Sequence, residues 1–455
     1  MENSSYDVLI IGGGQAGIPL AYKLAGEGKQ VALAERKQLG GSCVNFGCTP
    51  TKAAIASAKA AHQARRGSEY GVEIPEVRVD FPAVIERAKG MAETSRTGIE
   101  SGFADSENPV LIQGHASFEG RDDEGFRLQV GDETVTAKEV VLNTGTRTLI
   151  PPIDGLDQID YIDSGNWLEH TDLPEHVAIV GGGVIGLEMS QFYRRMGSRV
   201  TVIAGSAGRV APQEDEEVSE AIQDILESEG IEFRHNTRAE KVEKTDGGVK
   251  IKLGGDNPSE LEATHLFIAT GRKPNTDDLG LENVGLETTK GIVEADERLK
   301  TSVEGIWVGG DIRGGPQFTH TSYDDNRVIL SQMTGDGSHT TDRVVPYAIF
   351  TDPELGRVGM TEREARDAGY EVETMSYEVA NNGKAAEIGE TQGFIKVVAD
   401  ATDGKILGAA VLSYEGAELV HAYIDLMNAG ASLEVLRDAI HIHPTLGEAI
   451  QSAVS

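Results

Sequence analysis

The chain has 455 residues, of which 39% are hydrophobic, and its 41 basic and 74 acidic side chains give a formal net charge of −33. A single core stops growing at about 250–300 residues, so we expect about two to four domains. The acidity argues against a nucleic-acid partner and against an anionic membrane surface, because both need clustered Lys and Arg. Such a charge is tolerated best where salt screens it, which makes a high-salt habitat a hypothesis.

Neither a membrane span nor a targeting segment is expected. No apolar run approaches the ~18 residues of a transmembrane helix, and the N-terminal stretch MENSSYDVLIIGGG reads as a first strand and not as a signal peptide. The sequence contains two cysteines, Cys43 and Cys48, too few for a disulfide scaffold or a four-thiolate zinc site. We therefore predict a reducing, cytoplasmic location and no metal site.

The first thirty residues predict a βαβ unit with a phosphate-binding loop. Val8–Ile11 is an apolar strand, a helix-like stretch runs to Ala25, and Val31–Ala34 is a second strand that ends at Glu35. The loop between strand and helix has glycines that permit a tight turn and a close approach to a pyrophosphate, namely Gly12, Gly14 and Gly17. Glu35 can accept hydrogen bonds from a ribose. The alternative is a glycine-rich turn without a ligand, but strand, helix and acid are all in place.

The segment GGSCVNFGCTPTK at residues 40–52 follows this unit and contains both cysteines. The alternative without function is a pair of incidental buried thiols. However, Cys43 and Cys48 follow a nucleotide-binding unit and stand at the start of a helix, where thiolates are stabilised. A pair that cycles between dithiol and disulfide beside a flavin is a two-electron relay. After this segment the sequence predicts a helical stretch from Lys52 to Gly102 and then a β-rich region.

The same strand–loop–helix pattern returns at His176–Val180, and the glycines of its loop are Gly181, Gly183 and Gly186. The position equivalent to Glu35 is about Ala204, and Ser206 and Arg209 lie nearby. An acid would repel a 2′-phosphate and an arginine would attract it, so the second site favours NADPH over NADH. The alternative is that Arg209 is a solvated loop residue. Two dinucleotide motifs imply two dinucleotides, most simply a flavin and a nicotinamide.

The last part of the chain, after Val345 and Pro346, alternates strands and helices and predicts a separate α+β domain. Near its end, His443 is followed by Pro444 and then by Glu448. A histidine oriented by a carboxylate can act as a general acid and base near neutral pH. A surface or packing role is the alternative. His441 is the lesser candidate because it lacks the following Pro-Thr.

These motifs together resemble those of the flavoprotein disulfide reductases, which include dihydrolipoamide dehydrogenase, glutathione reductase and mercuric reductase. The cysteine segment looks like the family's redox-active disulfide. The family's other signatures are matched, in the family's order, by NTGT at 143–146, ATGRKPN at 269–275, GGD at 309–311 and HPTLGE at 443–448. The resemblance covers the whole chain.

The resemblance implies an α/β fold of two Rossmann-like dinucleotide-binding domains and a C-terminal α+β dimerisation domain. Residues 1–150 would form the first part of the FAD-binding domain, 151–271 the NAD(P)-binding domain, 272–345 the second part of the FAD-binding domain, and 346–455 the dimerisation domain. The protein would therefore be a homodimer with FAD and NAD(P)H as cofactors.

The resemblance also implies roles for single residues. Electrons would pass from NAD(P)H through FAD to the Cys43–Cys48 disulfide, with Cys48 nearest the flavin and Cys43 attacking the substrate. Lys52 would lie by the flavin and pair with Glu188. His443, oriented by Glu448, would protonate the departing thiol in the active site of the other subunit.

Further residues would bind the cofactors. For FAD they are Gly12, Gly14, Gly17, Glu35, Gly41, Ser42, Lys52, His115, Ala116, Thr144, Gly145, Asp311 and Thr319. For the nicotinamide nucleotide they are Gly181, Gly183, Gly186, Arg209 and Gly271.

Some positions favour one branch of the family. The mercuric-reductase-like branch is resembled at Thr49 and Thr51, where dihydrolipoamide dehydrogenases usually have other residues. The segment FTHTSYDD at 318–325 resembles the same branch. Val184 stands where glutathione reductases have a tyrosine, which disfavours glutathione. The C-terminal cysteine pair of mercuric reductases is missing, so efficient delivery of Hg(II) is not expected.

The sequence predicts an enzyme that reduces a small-molecule disulfide or a related acceptor. If the protein is an enzyme, the alternative acceptors are Hg(II), a quinone and lipoamide. An alternative of another class is a non-catalytic redox sensor, or a structural member of a multienzyme complex that holds its dinucleotides only as ligands.

Overall fold

The structure is a computed structural model that describes residues 4–205 and 208–455. Its chain forms two compact units. The first comprises the described residues up to 53 together with 85–149 and 272–343, and the second comprises 54–84, 150–271 and 344–455. Within the described residues, no helix combines the length and the apolar character that a membrane crossing needs.

The strands of the described residues, numbered in chain order, are β1 Ser4–Ile11, β2 Val31–Glu35, β3 Val110–Gln113, β4 Ala116–Asp122, β5 Gly125–Val130, β6 Glu133–Leu142, β7 Thr146–Thr148, β8 Ile162–Asp163, β9 His176–Val180, β10 Arg199–Ile203, β11 Glu232–Arg234, β12 Thr237–Thr245, β13 Gly248–Gly255, β14 Ser259–Ala263, β15 His265–Ile268, β16 Arg272–Pro274, β17 Ile306–Val308, β18 Pro346–Ile349, β19 Glu354–Gly359, β20 Val372–Glu378, β21 Phe394–Asp400 and β22 Ile406–Ser413.

The α-helices, numbered likewise, are α1 Gly17–Gly26, α2 Gly41–Asn45, α3 Cys48–Arg65, α4 Phe81–Ala104, α5 Val184–Met196, α6 Glu216–Ser228, α7 Thr319–Thr334, α8 Glu362–Asp367, α9 Gly383–Glu387, α10 Gly416–Leu419, α11 His421–Asn428, α12 Leu433–Asp438 and α13 Glu448–Ser452. Short 3-10 helices lie at Gly67–Tyr70, Leu156–Gln158, Trp167–Glu169, Leu281–Val284, Asp311–Arg313 and Val379–Asn381.

The first unit is built around a sheet with the strand order β3-β2-β1-β6-β5-β4, in which β17 also pairs with β6. Strand β1 is parallel to both β2 and β6. Its side chains alternate between two cores, with Val8 and Ile10 on one face and Leu9 and Ile11 on the other. A strand buried on both faces has no polar side, which explains the uninterrupted apolar run that marks it in the sequence.

The second unit contains a parallel sheet with the order β11-β10-β9-β15-β8, a three-stranded sheet β12-β13-β14, and a five-stranded sheet β18-β19-β22-β21-β20. The five-stranded sheet is antiparallel throughout and packs against helices α11, α12 and α13. Two sheets whose central strands are parallel, the first with the antiparallel strands β4 and β5 added to it, and a C-terminal α+β region confirm the predicted fold class. The predicted borders between the domains stay predictions.

The helical stretch predicted from Lys52 to Gly102 is interrupted. Helix α3 ends at Arg65, a single 3-10 turn follows, and α4 starts at Phe81. Gly71 closes the 3-10 turn with φ +72°, a conformation that glycine adopts without strain. Pro75 also lies between the two helices and removes a backbone donor. Composition rich in Ala and charge was therefore a poor guide to where these helices end.

Candidate active site

The first glycine-rich loop joins β1 to α1 and is shaped by two close backbone approaches. Gly12 has φ +108°, and a Cβ there would collide with the carbonyl oxygen of Asn143. A Cβ on Gly17 would collide with the carbonyl oxygen of Gly12. Only glycine satisfies both constraints, so no side chain at these two positions covers the main chain at the N-terminus of α1. A pyrophosphate binds to main-chain N–H groups that are uncovered in this way.

Glu35 ends β2 beside this loop and is oriented by the main chain. One carboxylate oxygen accepts the Gly13 N–H at 2.8 Å and the other accepts the Lys37 N–H at 2.7 Å. A carboxylate oxygen has two lone pairs, so each can accept a further hydrogen bond from a ribose hydroxyl. The loop and its acid therefore fit the adenosine diphosphate part of FAD.

The turn that carries Gly41 and Ser42 packs directly on the same loop. The Gly40 N–H donates to the Gly13 carbonyl at 2.8 Å, and a Cβ on Gly41 would stand 3.0 Å from the Cα of Gly14. This contact places α2, which starts at Gly41 and includes Ser42 and Cys43, beside the first dinucleotide loop.

The two cysteines flank the junction between α2 and α3. Cys43 lies within α2, Cys48 is the first residue of α3, and the Gly47 N–H donates to the Ser42 carbonyl at 2.6 Å. Within the described residues both cysteines are in the thiol form and no disulfide joins them. The Cys48 Sγ lies 3.1 Å from the Thr319 Oγ1, which brings together two residues predicted for one site.

The environment of Cys43 favours its protonated form. A hydrogen bond with Cys48 raises the pKa of the Cys43 thiol, burial raises it further, and so does charge on Cys48. Thr319 and Lys52 act in the opposite direction and are outweighed. Cys43 is therefore the thiol that depends on a base before it can act as a nucleophile.

Three further residues predicted for FAD are held by hydrogen bonds within the first unit. The Asp311 carboxylate accepts hydrogen bonds from Thr146 Oγ1 at 3.1 Å and Ser322 Oγ at 3.3 Å. The Thr144 hydroxyl donates to the Asn275 carbonyl at 2.7 Å, and the Gly145 carbonyl accepts the Asn275 N–H at 2.9 Å.

The remaining predicted FAD residues lie at strand β4 and on helix α3. The His115 Nε2 is 2.8 Å from the Asp278 carbonyl oxygen, and Ala116 is the first residue of β4. Lys52 lies on α3, one turn after Cys48, and belongs to the first unit. Glu188 lies on α5 in the second unit, so the predicted Lys52–Glu188 pair stays a prediction.

The second glycine-rich loop repeats the backbone geometry of the first. Gly181 has φ +123°, and a Cβ there would collide with the Ala269 carbonyl oxygen, as at Gly12. Gly183 is the N-cap residue of α5, and a Cβ on Gly186 would collide with the Gly181 carbonyl. Gly271 is the last residue of the segment 150–271 of the second unit, and it has φ +120°. The residues fit a second dinucleotide.

The two loops differ at the end of the following strand. Ala204 stands next to the loop, with its Cβ 3.3 Å from the position of a Cβ on Gly182. Its methyl group offers no acceptor for a ribose hydroxyl. Arg209 donates from Nη2 to the carbonyls of Pro212 at 3.1 Å and Glu214 at 3.2 Å. Ser206 lies outside the described residues.

His443 and Glu448 meet at the start of α13. The Nδ1 of His443 lies 3.0 Å from Glu448 Oε1, while Glu448 Oε2 accepts the Thr445 N–H at 2.9 Å. The Thr445 N–H and His443 hold the pKa of the Glu448 carboxyl below its usual value. Because Nδ1 faces the carboxylate, proton exchange would use Nε2. His441 instead contacts Gln451 at 3.2 Å.

Two asparagines shape the site although no role was predicted for them within their motifs. Asn143 donates from Nδ2 to the Gly12 carbonyl at 3.1 Å. Asn45 donates to the carbonyls of Leu39 and Gly41, each at 2.9 Å, and so braces the turn before the cysteines. The sequence did contain a signal for Asn143, because it is a polar residue directly after the apolar run Val140–Leu142. Asn45 gave no such signal.

Comparison with known families identifies the family of this chain. Residues 6–325 match the family model described as pyridine nucleotide-disulphide oxidoreductase, and residues 345–454 match the dimerisation domain of the same family. The dimerisation domain supports a homodimer.

Three known proteins illustrate the similarity. The chain is 34% identical to a mercuric reductase of Streptomyces lividans, over 99% of this chain and 96% of that protein. It is 32% identical to the dihydrolipoyl dehydrogenase 2 of Haloarcula marismortui, over 99% and 96% of the two chains. The Cu(II) complex of the HOCl-induced flavoprotein disulfide reductase RclA from Escherichia coli has a TM-score of 0.89 and 32% identity, over 100% of this chain and 99% of that chain.

Fold, loops and relatives agree, and the resemblance seen in the sequence motifs is confirmed. The protein belongs to the FAD-dependent pyridine nucleotide-disulfide oxidoreductases, a family of enzymes that use FAD and NAD(P)H.

Proposed function

We propose that the protein uses NAD(P)H to reduce a small-molecule disulfide through the Cys43–Cys48 pair. The contact between Cys48 and Thr319 carries this proposal, because it joins the cysteine pair to a residue predicted to line FAD. A cytoplasmic, reducing location suits a chain whose two cysteines must return to thiols.

FAD would be held at the first glycine loop by Glu35 and at its ribitol by Asp311. When bound, it supplies the two-electron chemistry that links NAD(P)H to the disulfide. The protein's own part is to hold the thiols and to move protons. Thr319 fixes Cys48, and Cys48 in turn keeps the proton on Cys43 until a base removes it.

The exchange with substrate then follows from the properties of the two thiols. The thiolate of Cys43 attacks one sulfur of the substrate disulfide, so that a mixed disulfide forms and the first substrate thiolate leaves. Protonated His443 gives that thiolate its proton. Cys48 then loses its proton and attacks the Cys43 sulfur as a thiolate, which closes the Cys43–Cys48 disulfide and expels the second substrate thiolate. That thiolate takes up the proton that Cys48 lost.

The base and acid would be His443 of the other subunit in a homodimer. Glu448 keeps its negative charge to low pH and holds the imidazole at Nδ1, which leaves Nε2 for the proton transfer. A symmetric dimer would then contain two active sites, each built from both chains.

Steady-state assays test the main proposal. Glutathione disulfide, lipoamide, a quinone, Hg(II) and Cu(II) are each offered as acceptor with NADH and with NADPH. We expect disulfide turnover in the wild type and at least a hundredfold loss in Cys43→Ser and Cys48→Ser. Unchanged disulfide reduction by Cys48→Ser would contradict the scheme and favour a non-catalytic role for the pair.

Co-expression of two inactive variants tests the shared site. In a mixed dimer of Cys43→Ser and His443→Gln subunits, one site has intact cysteines and an intact histidine only if the histidine comes from the other chain. Random pairing would then restore about a quarter of the wild-type activity. If His443 served its own chain, no activity would return.

Reduction of a soft metal ion is the second candidate. One relative is named a mercuric reductase, and the RclA structure is that of a Cu(II) complex. Thiolates are the ligands that Cu(I) and other soft ions prefer, and this chain offers two. Two Cu(II) ions would each take one electron per NAD(P)H. Metal turnover above disulfide turnover in the acceptor assay would favour this candidate.

NADPH is the proposed nicotinamide donor. The support is the uncharged Ala204 at the position where the first loop has Glu35, since a carboxylate there would repel a 2′-phosphate. Arg209 lies in the following loop, with Nη2 bound to main-chain carbonyls, and its other guanidinium nitrogens are the ones that could reach a phosphate.

A further inference from the structure

Helix α7 turns one polar face toward the site in the first unit. Thr319, Ser322 and Asp325 are spaced three apart, so they follow one another along a single side of the helix. Thr319 contacts the Cys48 thiol and Ser322 donates to the Asp311 carboxylate. Asp325, the deepest of the three, takes no part in the thiol and proton steps of the proposed reaction.

Asp325 is 1% exposed and uses both carboxylate oxygens. One oxygen accepts the Gly310 N–H at 2.8 Å and the Arg313 Nε at 2.9 Å. The other accepts the Arg343 Nη2 at 2.6 Å. A buried carboxylate is stable only when paired in this way, and removal of its charge leaves two guanidinium groups without this acceptor.

The Gly310 N–H belongs to the turn that presents Asp311. Gly310 has φ +75°, and a Cβ there would stand 2.7 Å from the Asn143 Oδ1. Asn143 in turn donates to the Gly12 carbonyl of the first dinucleotide loop. The Gly310–Asp311 turn is therefore wedged between the phosphate loop and α7, and Asp325 is the group that fixes its main chain.

We propose that Asp325 is a positioning residue for FAD, which holds the Gly310–Asp311 turn in the conformation that presents the Asp311 carboxylate to the cofactor. Asp325 does not touch the cofactor itself. The proposal rests on the assignment of Asp311 to FAD, but it is independent of the electron acceptor.

The test compares Asp325→Asn with Asp324→Asn in the purified holoenzyme. Both variants remove one carboxylate from Arg343, but Asp325 also accepts the Gly310 N–H and the Arg313 Nε. FAD release after dilution is followed by the rise in flavin fluorescence, and thermal unfolding is recorded with saturating FAD. We expect FAD release about tenfold faster in Asp325→Asn, and a rate within about threefold of the wild type in Asp324→Asn.

Ser322→Ala serves as a second variant, because it loses one hydrogen bond to Asp311 and leaves no buried charge unpaired. It should speed FAD release by a smaller factor, and this holds even if Asp325→Asn does not fold. A lower unfolding temperature with unchanged FAD release in Asp325→Asn, or unchanged release in Ser322→Ala, would overturn the proposal. Because no acceptor is present, failure of the disulfide assay leaves this readout unaffected.

Discussion

Cys43 and Cys48 have different surroundings, and the difference predicts how they react. The hydrogen bond with Cys48 is the largest cause of the raised pKa of Cys43. In Cys48→Ala this cause disappears, so the pKa of Cys43 should fall, although burial still keeps it above the ordinary value. The measurement is the pH dependence of alkylation of Cys43 by iodoacetamide in reduced protein, read by mass spectrometry.

Thr319→Val is the matched control for this experiment. The Thr319 hydroxyl lowers the pKa of Cys43, so its loss should shift the alkylation profile to higher pH, opposite to Cys48→Ala. Equal shifts of the same sign in both variants would mean that general loosening of the segment, and not these hydrogen bonds, governs the thiol.

The two dinucleotide loops also predict a change in coenzyme preference. Glu35 shows how a carboxylate at this strand end is held by the N–H of the loop glycine. Ala204→Glu places a carboxylate beside Gly182 in the same way. It should lower kcat/KM for NADPH about tenfold or more, and raise the ratio of NADH to NADPH, because it repels a 2′-phosphate and binds a ribose diol.

Arg209→Gln separates the contribution of Arg209 to the coenzyme preference from that of Ala204. If its guanidinium binds the 2′-phosphate, kcat/KM falls for NADPH alone. If Arg209 only ties its own loop through Pro212 and Glu214, both coenzymes are affected equally. An unchanged coenzyme ratio in Ala204→Glu would contradict the NADPH assignment.

The residues that the sequence predicts for the site and a residue that it does not predict differ in one physical respect. Gly12, Glu35 and Cys48 stand where the chain makes a local turn or where a strand or helix begins or ends, so their neighbours in the sequence predict a role for them. Asp325 acts through contacts with Gly310 and Arg343, and the fold alone brings these together. Partners that are distant in sequence leave no periodic or spacing signal in a single chain.

At the scale of elements, α5 carries a polar stripe like that of α7. Glu188 accepts the Phe350 N–H at 3.0 Å, Gln191 accepts the Asp352 N–H at 2.8 Å, and Arg195 donates to the Asp352 carboxylate at 2.6 Å. The helix that begins at the second glycine loop is thereby fastened to the segment between β18 and β19. These hydrogen bonds fix the position of the Glu188 carboxylate within the second unit.

Loss of the buried Arg195 should destabilise the protein in a pH-dependent way. Burial by itself raises the pKa of Asp352, but Arg195 and Lys59 outweigh it and hold this pKa below the usual value. Asp352 therefore contributes stability above its ordinary pKa of about 4, and this stability is lost as the pH falls. Arg195→Met should cost about 3–5 kcal/mol near pH 7, seen as a lower unfolding temperature, with a smaller deficit toward pH 4.

The double variant Arg195→Met/Asp352→Asn is the control for charge. It removes Arg195 and Asp352 together and should recover part of the loss at pH 7, because the Asp352 carboxylate is no longer left buried without Arg195. The recovery stays partial because Arg195 also pairs with the Glu229 carboxylate at 2.7 Å, and this contact is lost in both variants. A deficit in Arg195→Met that stays constant from pH 7 to pH 4, with no recovery in the double variant, would assign the effect to lost packing instead.

At the scale of the whole molecule, the net charge of −33 predicts a dependence on salt. Like charges repel across the folded surface, and the Debye length falls from about 30 Å at 0.01 M salt to about 8 Å at 0.15 M and 3 Å at 1 M. The unfolding temperature of the holoenzyme should therefore rise with NaCl, most steeply at the lowest concentrations, where most of the screening is gained.

The choice of solute decides between screening and other effects of salt. KCl should act like NaCl at equal ionic strength, whereas sucrose stabilises by exclusion from the surface and does not screen charge. A rise that levels off once the Debye length is shorter than the spacing of surface charges would identify self-repulsion as the destabilising force. If the unfolding temperature were flat in NaCl, or if sucrose reproduced its whole effect, the acidic surface would not limit stability and the high-salt hypothesis would lose its physical basis.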